Sequence, residues 1–185
     1  MSVAPSAVLS ALYSGDRDAA REAAGDTELT LPELAAFGDV PALADRVARR
    51  PDELEQLSPD GWTALHLASW FGYSAAAVRL LRSGASHATS SRNAQGNTAL
   101  HAAIAGRCDM PVITALLAAG SDPVAADAQG YVPLHLAASR GDQAVCELLI
   151  ACGASPDTPT SDGRRAVDLA REHLHLQLAT LLTPD

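Results

Sequence analysis

A four-residue motif returns along this chain at nearly constant intervals, and no other feature constrains the fold as strongly. Thr63-Ala64-Leu65-His66, Thr98-Ala99-Leu100-His101 and Val132-Pro133-Leu134-His135 are three copies, and Arg165-Ala166-Val167-Asp168 is a worn fourth. Their last residues stand 35, 34 and 33 positions apart. A glycine precedes each copy by two residues (Gly61, Gly96, Gly130, Gly163), and Gly84, Gly120 and Gly153 close the apolar stretch that follows three of them. A period near 33 residues implies small supersecondary units, each with an apolar face that only its neighbour covers.

The residues within a unit give its shape. Thr63 suits a helix N-cap, its hydroxyl accepting from the amide of His66. Leu65, Leu67 and Ala68 form the inward face of a short helix, and the small side chains let neighbouring helices approach closely. Gly72 suits the left-handed turn that reverses the chain. A second helix is predicted over 76–82, with Val78, Leu80 and Leu81 apolar. Gly84 ends it, and the polar stretch to Gly96 reads as a hairpin-like turn into the next unit.

The four-residue motif, the Gly-Ala pairs at 84–85 and 153–154 and the period together resemble the ankyrin repeat. The resemblance implies an all-α fold: a solenoid of stacked helix-turn-helix units with protruding hairpin loops. It divides 1–185, taken as a single domain, into a degenerate N-terminal cap at about 4–29, repeats at 30–62, 63–97, 98–131 and 132–164, and a C-terminal cap at 165–185. Thr30-Leu31-Pro32-Glu33 reads as a capping box opening the first repeat. Two departures stand out. Val132 and Arg165 replace the capping threonine, an expected loss of about 1 kcal/mol each. The stretch from Gly84 to Gly96 is two residues longer than its counterparts after Gly120 and Gly153.

Charge excludes two classes of partner. A formal net charge of −9 argues against nucleic acid and against an anionic membrane, since both repel such a chain at long range. The nearest basic cluster, Arg46, Arg49 and Arg50, is followed at once by Asp52, Glu53 and Glu55, the acidic pair reading as solvated loop residues. No apolar run approaches a membrane span, and the N-terminus lacks the pattern of a secretion signal. Three cysteines at irregular spacing fit reduced thiols, and hence a cytoplasmic setting. All 13 basic residues are arginine, a composition that suggests a GC-rich, bacterial source.

Candidate chemistry centres on His66, His101 and His135. Three histidines can bind zinc, but only with each nitrogen about 2.1 Å from one point. Equivalent positions in stacked repeats lie roughly 8–10 Å apart, so this ladder cannot converge. The expected role is a repeated hydrogen bond from each imidazole to a neighbouring hairpin. His173 and His175 read as surface or cap residues on different faces, and Cys146 as a small core hydrophobe, with Cys108 and Cys152 nearer turns. No phosphate loop, nucleophile elbow or metal helix is present, so no catalysis, cofactor or metal is expected. A metal-binding or redox protein remains the competing class, and a weak homodimer closed by an aromatic patch another.

The resemblance implies binding of a protein partner through the hairpin tips and the exposed side of the first helices, a concave face. Those positions are Pro59, Asp60, Trp62, Trp70 and Phe71, then Gln95, Asn97 and Ile104, then Gln129, Tyr131, Ser139 and Arg140. Asp162, Arg164 and Arg171 continue the row into the cap. Four of the seven Trp, Tyr and Phe residues fall in it, and such side chains dominate interface hot spots. For Trp62 and Phe71, packing between adjacent hairpins and the first repeat is the alternative.

Overall fold

A computed structural model describes residues 6–106 and 109–183. Among them the chain forms six helix pairs and no named strand. The pairs are α1 (Ala7–Tyr13) with α2 (Arg17–Ala24), α3 (Leu31–Phe37) with α4 (Val40–Arg49), and α5 (Ala64–Trp70) with α6 (Ser74–Arg82). They continue as α7 (Ala99–Ala105) with α8 (Met110–Ala118), α9 (Pro133–Arg140) with α10 (Gln143–Ala151), and α11 (Ala166–Glu172) with α12 (Leu176–Leu181). Odd-numbered helices stack on one another from α3 to α11, and α4, α6 and α8 form a second layer behind them.

The alternation of leucine with alanine explains the stacking. Leu65, Ala68, Leu100, Ala103, Leu134 and Ala138 are all fully or almost fully buried in one continuous core running from Leu31 to Leu182. Burial at this density stabilises each interface by about 25 cal/mol per Å² of apolar surface. A second cluster at the N-terminal end joins Val8, Leu9, Leu12 and Ala20 to Ala36 and Leu67.

Capping follows two rules. Thr30, Thr63 and Thr98 cap the first helices of their pairs through side-chain oxygens, Thr30 with the full capping box to Glu33. Three of the second helices use aspartate instead: Asp16, Asp39 and Asp142 accept from the amides of Ala19, Ala42 and Val145. Val132 and Arg165 do lack a side-chain cap, but half of each box survives. The amide of Val132 donates to His135 Nδ1 at 3.0 Å and that of Arg165 to Asp168 Oδ2 at 2.9 Å. The cost at these positions is therefore smaller than a lost cap alone implies.

The loops between pairs form fingers rather than strands, with one isolated bridge at Leu57–Thr63. Each finger closes on itself, Ser58, Ser91, Asp127 and Thr160 donating backbone N–H to Trp62, Asn97, Tyr131 and Arg164. Each is also tied to the next: Arg92 N–H donates to Gly61 O, Ala128 to Gln95 O and Ser161 to Gln129 O, at 2.8–3.0 Å. A side chain at Gly61 or Gly130 would strike the following finger's backbone at 2.9 and 2.7 Å, and both have positive φ. The positive φ shared by Gly61, Gly96, Gly130 and Gly163 explains the repeated glycine, and at Gly61 and Gly130 the close contact adds to it. The longer finger is anchored to Glu55, which accepts from Ser86 N–H and the Thr89 hydroxyl.

Candidate protein-binding face

The predicted row lies along the fingers and the C-terminal ends of the odd-numbered helices, but its members differ in how they are held. Gln95 and Gln129 are exposed at finger tips, and Pro59 is exposed beside them. Asp60, Trp62, Trp70, Phe71, Asn97, Tyr131, Arg140 and Arg164 are half-buried. Ile104 does not belong to an exposed row. It is 3% exposed and packs in the main core, because α7 ends against α5 too closely to leave that position open.

Aromatic residues gather at the N-terminal end. Trp62 meets His66 and Trp70 edge-on at 5.4 and 5.9 Å. Phe71 stacks on Tyr13 at 5.5 Å and lies 6.3 Å from Tyr73. Arg17 sits over both Phe37 and Tyr73 at 5.7 Å, donating to the Phe37 carbonyl and the Tyr73 hydroxyl. Tyr13 also donates to Asp60 Oδ2 at 2.9 Å, and burial beside that carboxylate raises its pKa. Six of the seven aromatic side chains thus fall in two neighbouring groups, the tryptophan pair and the set around Phe71 and Arg17, and Trp62 and Phe71 pack against the core of the first helix pair. The alternative of packing holds for these two residues, with part of each surface still open.

Farther along, Arg164 is committed to its own neighbours. It lies over the Tyr131 ring at 5.7 Å, donates to the Tyr131 hydroxyl, and pairs with Asp162 at 2.9 Å and Glu172 at 3.1 Å. The Thr160 hydroxyl and Arg164 hold the Asp162 carboxyl down at about 2. Arg140 reaches back to the Ala105 carbonyl of the preceding pair. Glu53, read as solvated, is only 12% exposed at its side chain and bridges Arg46 and Arg50, which lowers its pKa. Arg46 also pairs with Glu28, and Arg49 with Asp45 rather than with the acidic pair.

The histidine ladder has the role its spacing implied. His66 Nε2 donates to Asn97 O at 2.8 Å, His101 Nε2 to Tyr131 O at 3.0 Å and His135 Nε2 to Thr158 O at 2.9 Å. Because Nε2 faces a carbonyl, it carries the hydrogen, and Nδ1 is the acceptor. That acceptor takes the Thr63 hydroxyl in the first case and the Thr98 hydroxyl in the second, both at 2.8 Å. Both ring nitrogens are used within the protein, leaving no lone pair for a metal. Burial pushes all three pKa values down, His66 to about 4. Among the described residues no group of three metal-ligating side chains converges.

Two further residues differ from their sequence reading. His173 and His175 do not face apart: their rings stack at 6.4 Å, and His175 Nε2 reaches Ser139 O at 3.2 Å. Cys146 is buried, which pushes its thiol up to about 12, whereas Cys152 is exposed. Cys108 lies outside the described residues. Tyr13, Arg17 and Tyr73 escaped the sequence reading because they meet across more than 50 residues with no local signal.

A stack of helix pairs whose fingers are hydrogen-bonded into one row defines a repeat solenoid, a class that offers extended binding surfaces. Residues 33–127 match the family model for ankyrin repeats in three copies, and residues 129–161 match a single ankyrin repeat. The chain belongs to the ankyrin-repeat family. It is 43% identical over 77 residues to RelA-associated inhibitor of Mus musculus, covering 41% of this chain and 9% of that protein. It is 37% identical over 115 residues to Ankyrin repeat and SOCS box protein 16 of Mus musculus, covering 58% and 25%. With ARF GTPase-activating protein GIT1 of Homo sapiens the figures are 43% over 54 residues, 29% and 7%. The chain spans a quarter or less of the length of these relatives. Among the described residues no helix is long and apolar enough to cross a membrane.

Proposed function

We propose that this chain is a protein-binding module of the cytoplasm, without catalytic activity, metal or cofactor, which grips its partner along the fingers and the adjoining helix ends. The contact row is Asp60, Trp62, Trp70, Phe71, Gln95, Asn97, Gln129, Tyr131, Arg140 and Arg164. The observation that carries this reading is the finger-to-finger hydrogen bonding at Gly61, Gln95 and Gln129. It fixes the tips relative to one another before any partner arrives, and a surface ordered in advance loses less entropy on binding. Among the members, Gln95 and Gln129 expose their side chains at the finger tips and Trp70 keeps part of its ring open beside Trp62, so these three are the first choice as contacts. Family membership and one relative named for association with RelA support a protein partner, while its identity is open to capture experiments.

The test compares proteins retained from native extract by the wild type, by Trp70→Ala combined with Gln129→Ala, and by Arg79→Ala on α6. A specific partner retained by the wild type and Arg79→Ala, but lost from the double variant, is the expected result. Identical recovery by all three would overturn the placement of the face.

A further inference from the structure

Acidic residues outnumber basic ones by 22 to 13 in this chain, yet one cleft reverses the ratio. It lies between α2 and the turn from α3 into α4 and has a volume of about 520 Å³. Arg17 and Arg21 line it from α2, Leu29 and Phe37 give it an apolar part, and Gly38 and Asp39 complete it. Two successive helix pairs enclose it, and none of these residues belongs to a finger or to the proposed contact row.

The repeating unit does not call for a cation at this place. Arg17 opens α2, whereas the later second helices open with Val40, Ser74, Met110, Gln143 and Leu176, all uncharged. Arg17 is also fixed in position, its guanidinium over the rings of Phe37 and Tyr73 at 5.7 Å and bonded to the Phe37 carbonyl and the Tyr73 hydroxyl. Those bonds use two of its five N–H groups and leave three. Arg21, one turn along the same helix face, pairs with Asp18 at 3.0 Å. Both partners are well exposed, so that pair holds the guanidinium only weakly. Asp39 is the one acid of the lining. Its Oδ1 accepts from the Ala42 amide at the start of α4, and the positive end of that ten-residue helix offsets its charge. Leu29 and Phe37 pack on the N-terminal cluster and are only partly buried by it.

We propose that this cleft docks a short acidic segment of a partner protein, with carboxylates on Arg17 and Arg21 and an apolar side chain against Leu29 and Phe37. Charge complementarity selects this occupant. A basic segment would meet two cations, and a wholly apolar one would cover two guanidinium groups without supplying acceptors. Carboxylates suit the guanidinium fork, which offers paired donors in a plane. The volume falls within the roughly 300–1,000 Å³ of ligand-sized clefts, so it holds several side chains and not a single anion. Arg17 is ordered in advance by its two rings and two bonds, and such a group loses little freedom on binding. The site stands apart from the finger row, so the two readings succeed or fail separately.

Fluorescence anisotropy with three short dye-labelled peptides tests this on the full chain. One alternates glutamate with leucine, the second has lysine for every glutamate, and the third has serine for every leucine. The first should bind the wild type, the second should not, and the third should bind at least several-fold more weakly. Arg21→Glu should weaken the first peptide about tenfold by setting like charges against each other. Arg21 is exposed and bonded only to Asp18, so this variant keeps the wild-type Tm and isolates the loss of binding. Arg17→Gln should weaken binding too, with some loss of Tm because it also frees Tyr73. Trp70→Ala combined with Gln129→Ala should bind the first peptide like the wild type. No binding by the wild type, equal binding by Arg21→Glu, or loss in the finger variant would overturn the proposal. A lysine peptide that binds, or a serine peptide that binds as tightly as the first, would do the same.

Discussion

Acid should loosen this protein through its buried histidines. His66 is wholly buried, its Nε2–H on the Asn97 carbonyl and its Nδ1 on the Thr63 hydroxyl. Its folded pKa of about 4 lies below the ordinary 6.5, so the unfolded chain takes up the proton first. The stability this contributes is fully present above about pH 6.5 and is lost as pH falls toward 4. Linkage gives about 1 kcal/mol lost between pH 7.5 and 5.5, growing to about 3 kcal/mol at pH 4. His101 and His135 are lowered in the same direction and add to the loss. Asp162, held down at about 2, titrates well below pH 5.5, Glu53 is shifted in the same direction, and pH 5.5 stays above the isoelectric point near 5.0. Urea unfolding followed by tryptophan fluorescence at the two pH values measures the difference. His66→Gln keeps a donor for Asn97 but does not titrate, so its pH-dependent loss should shrink by about 1 kcal/mol. Equal losses in the two proteins, or a wild type indifferent to this pH change, would refute the reasoning.

Three substitutions probe the packing. A methyl group at position 106 would lie 2.6 Å from the Trp70 carbonyl carbon and 2.8 Å from its Cα, so Gly106→Ala should cost about 2–3 kcal/mol in urea unfolding although Gly106 has ordinary negative φ. Leu174→Gly should raise stability by about 0.5–1 kcal/mol, the relief of a left-handed bulky residue less the entropy of glycine, read as a higher Tm. Tyr13→Ala removes both the stack on Phe71 and the bond to Asp60. Hydrogen exchange should then quicken in α1 and α2 but not in α9 to α12, since repeats couple mainly to their neighbours.

Much of this was legible because the ankyrin-type unit is built from local signals. Thr63 and Thr98 announce helix starts, Gly61 and Gly130 announce fingers, and the repeat of His66, His101 and His135 announces an imidazole bonded to a neighbouring finger. The proposed contact row was legible only as positions on a repeating frame. Which of those positions are open depends on what packs over them. Ile104 is covered by α5, Arg164 is held by Tyr131, Asp162 and Glu172, and Phe71 lies under Tyr13. His175, read locally as a surface or cap residue, stands at the start of α12 and also finds Ser139, 36 residues away, a partner with no local signal.

The division follows from the reach of the forces involved. Capping, turn conformation and helical period act over a few residues, so the sequence by itself determined the unit, its repetition and the helical class of the fold. The gathering of the aromatics around the first pair, the tying of the fingers into a row and the cleft between α2 and the start of α4 depend on contacts between distant residues. Those were decided only when the units stacked, because side-chain exposure belongs to the assembled surface and not to any one segment.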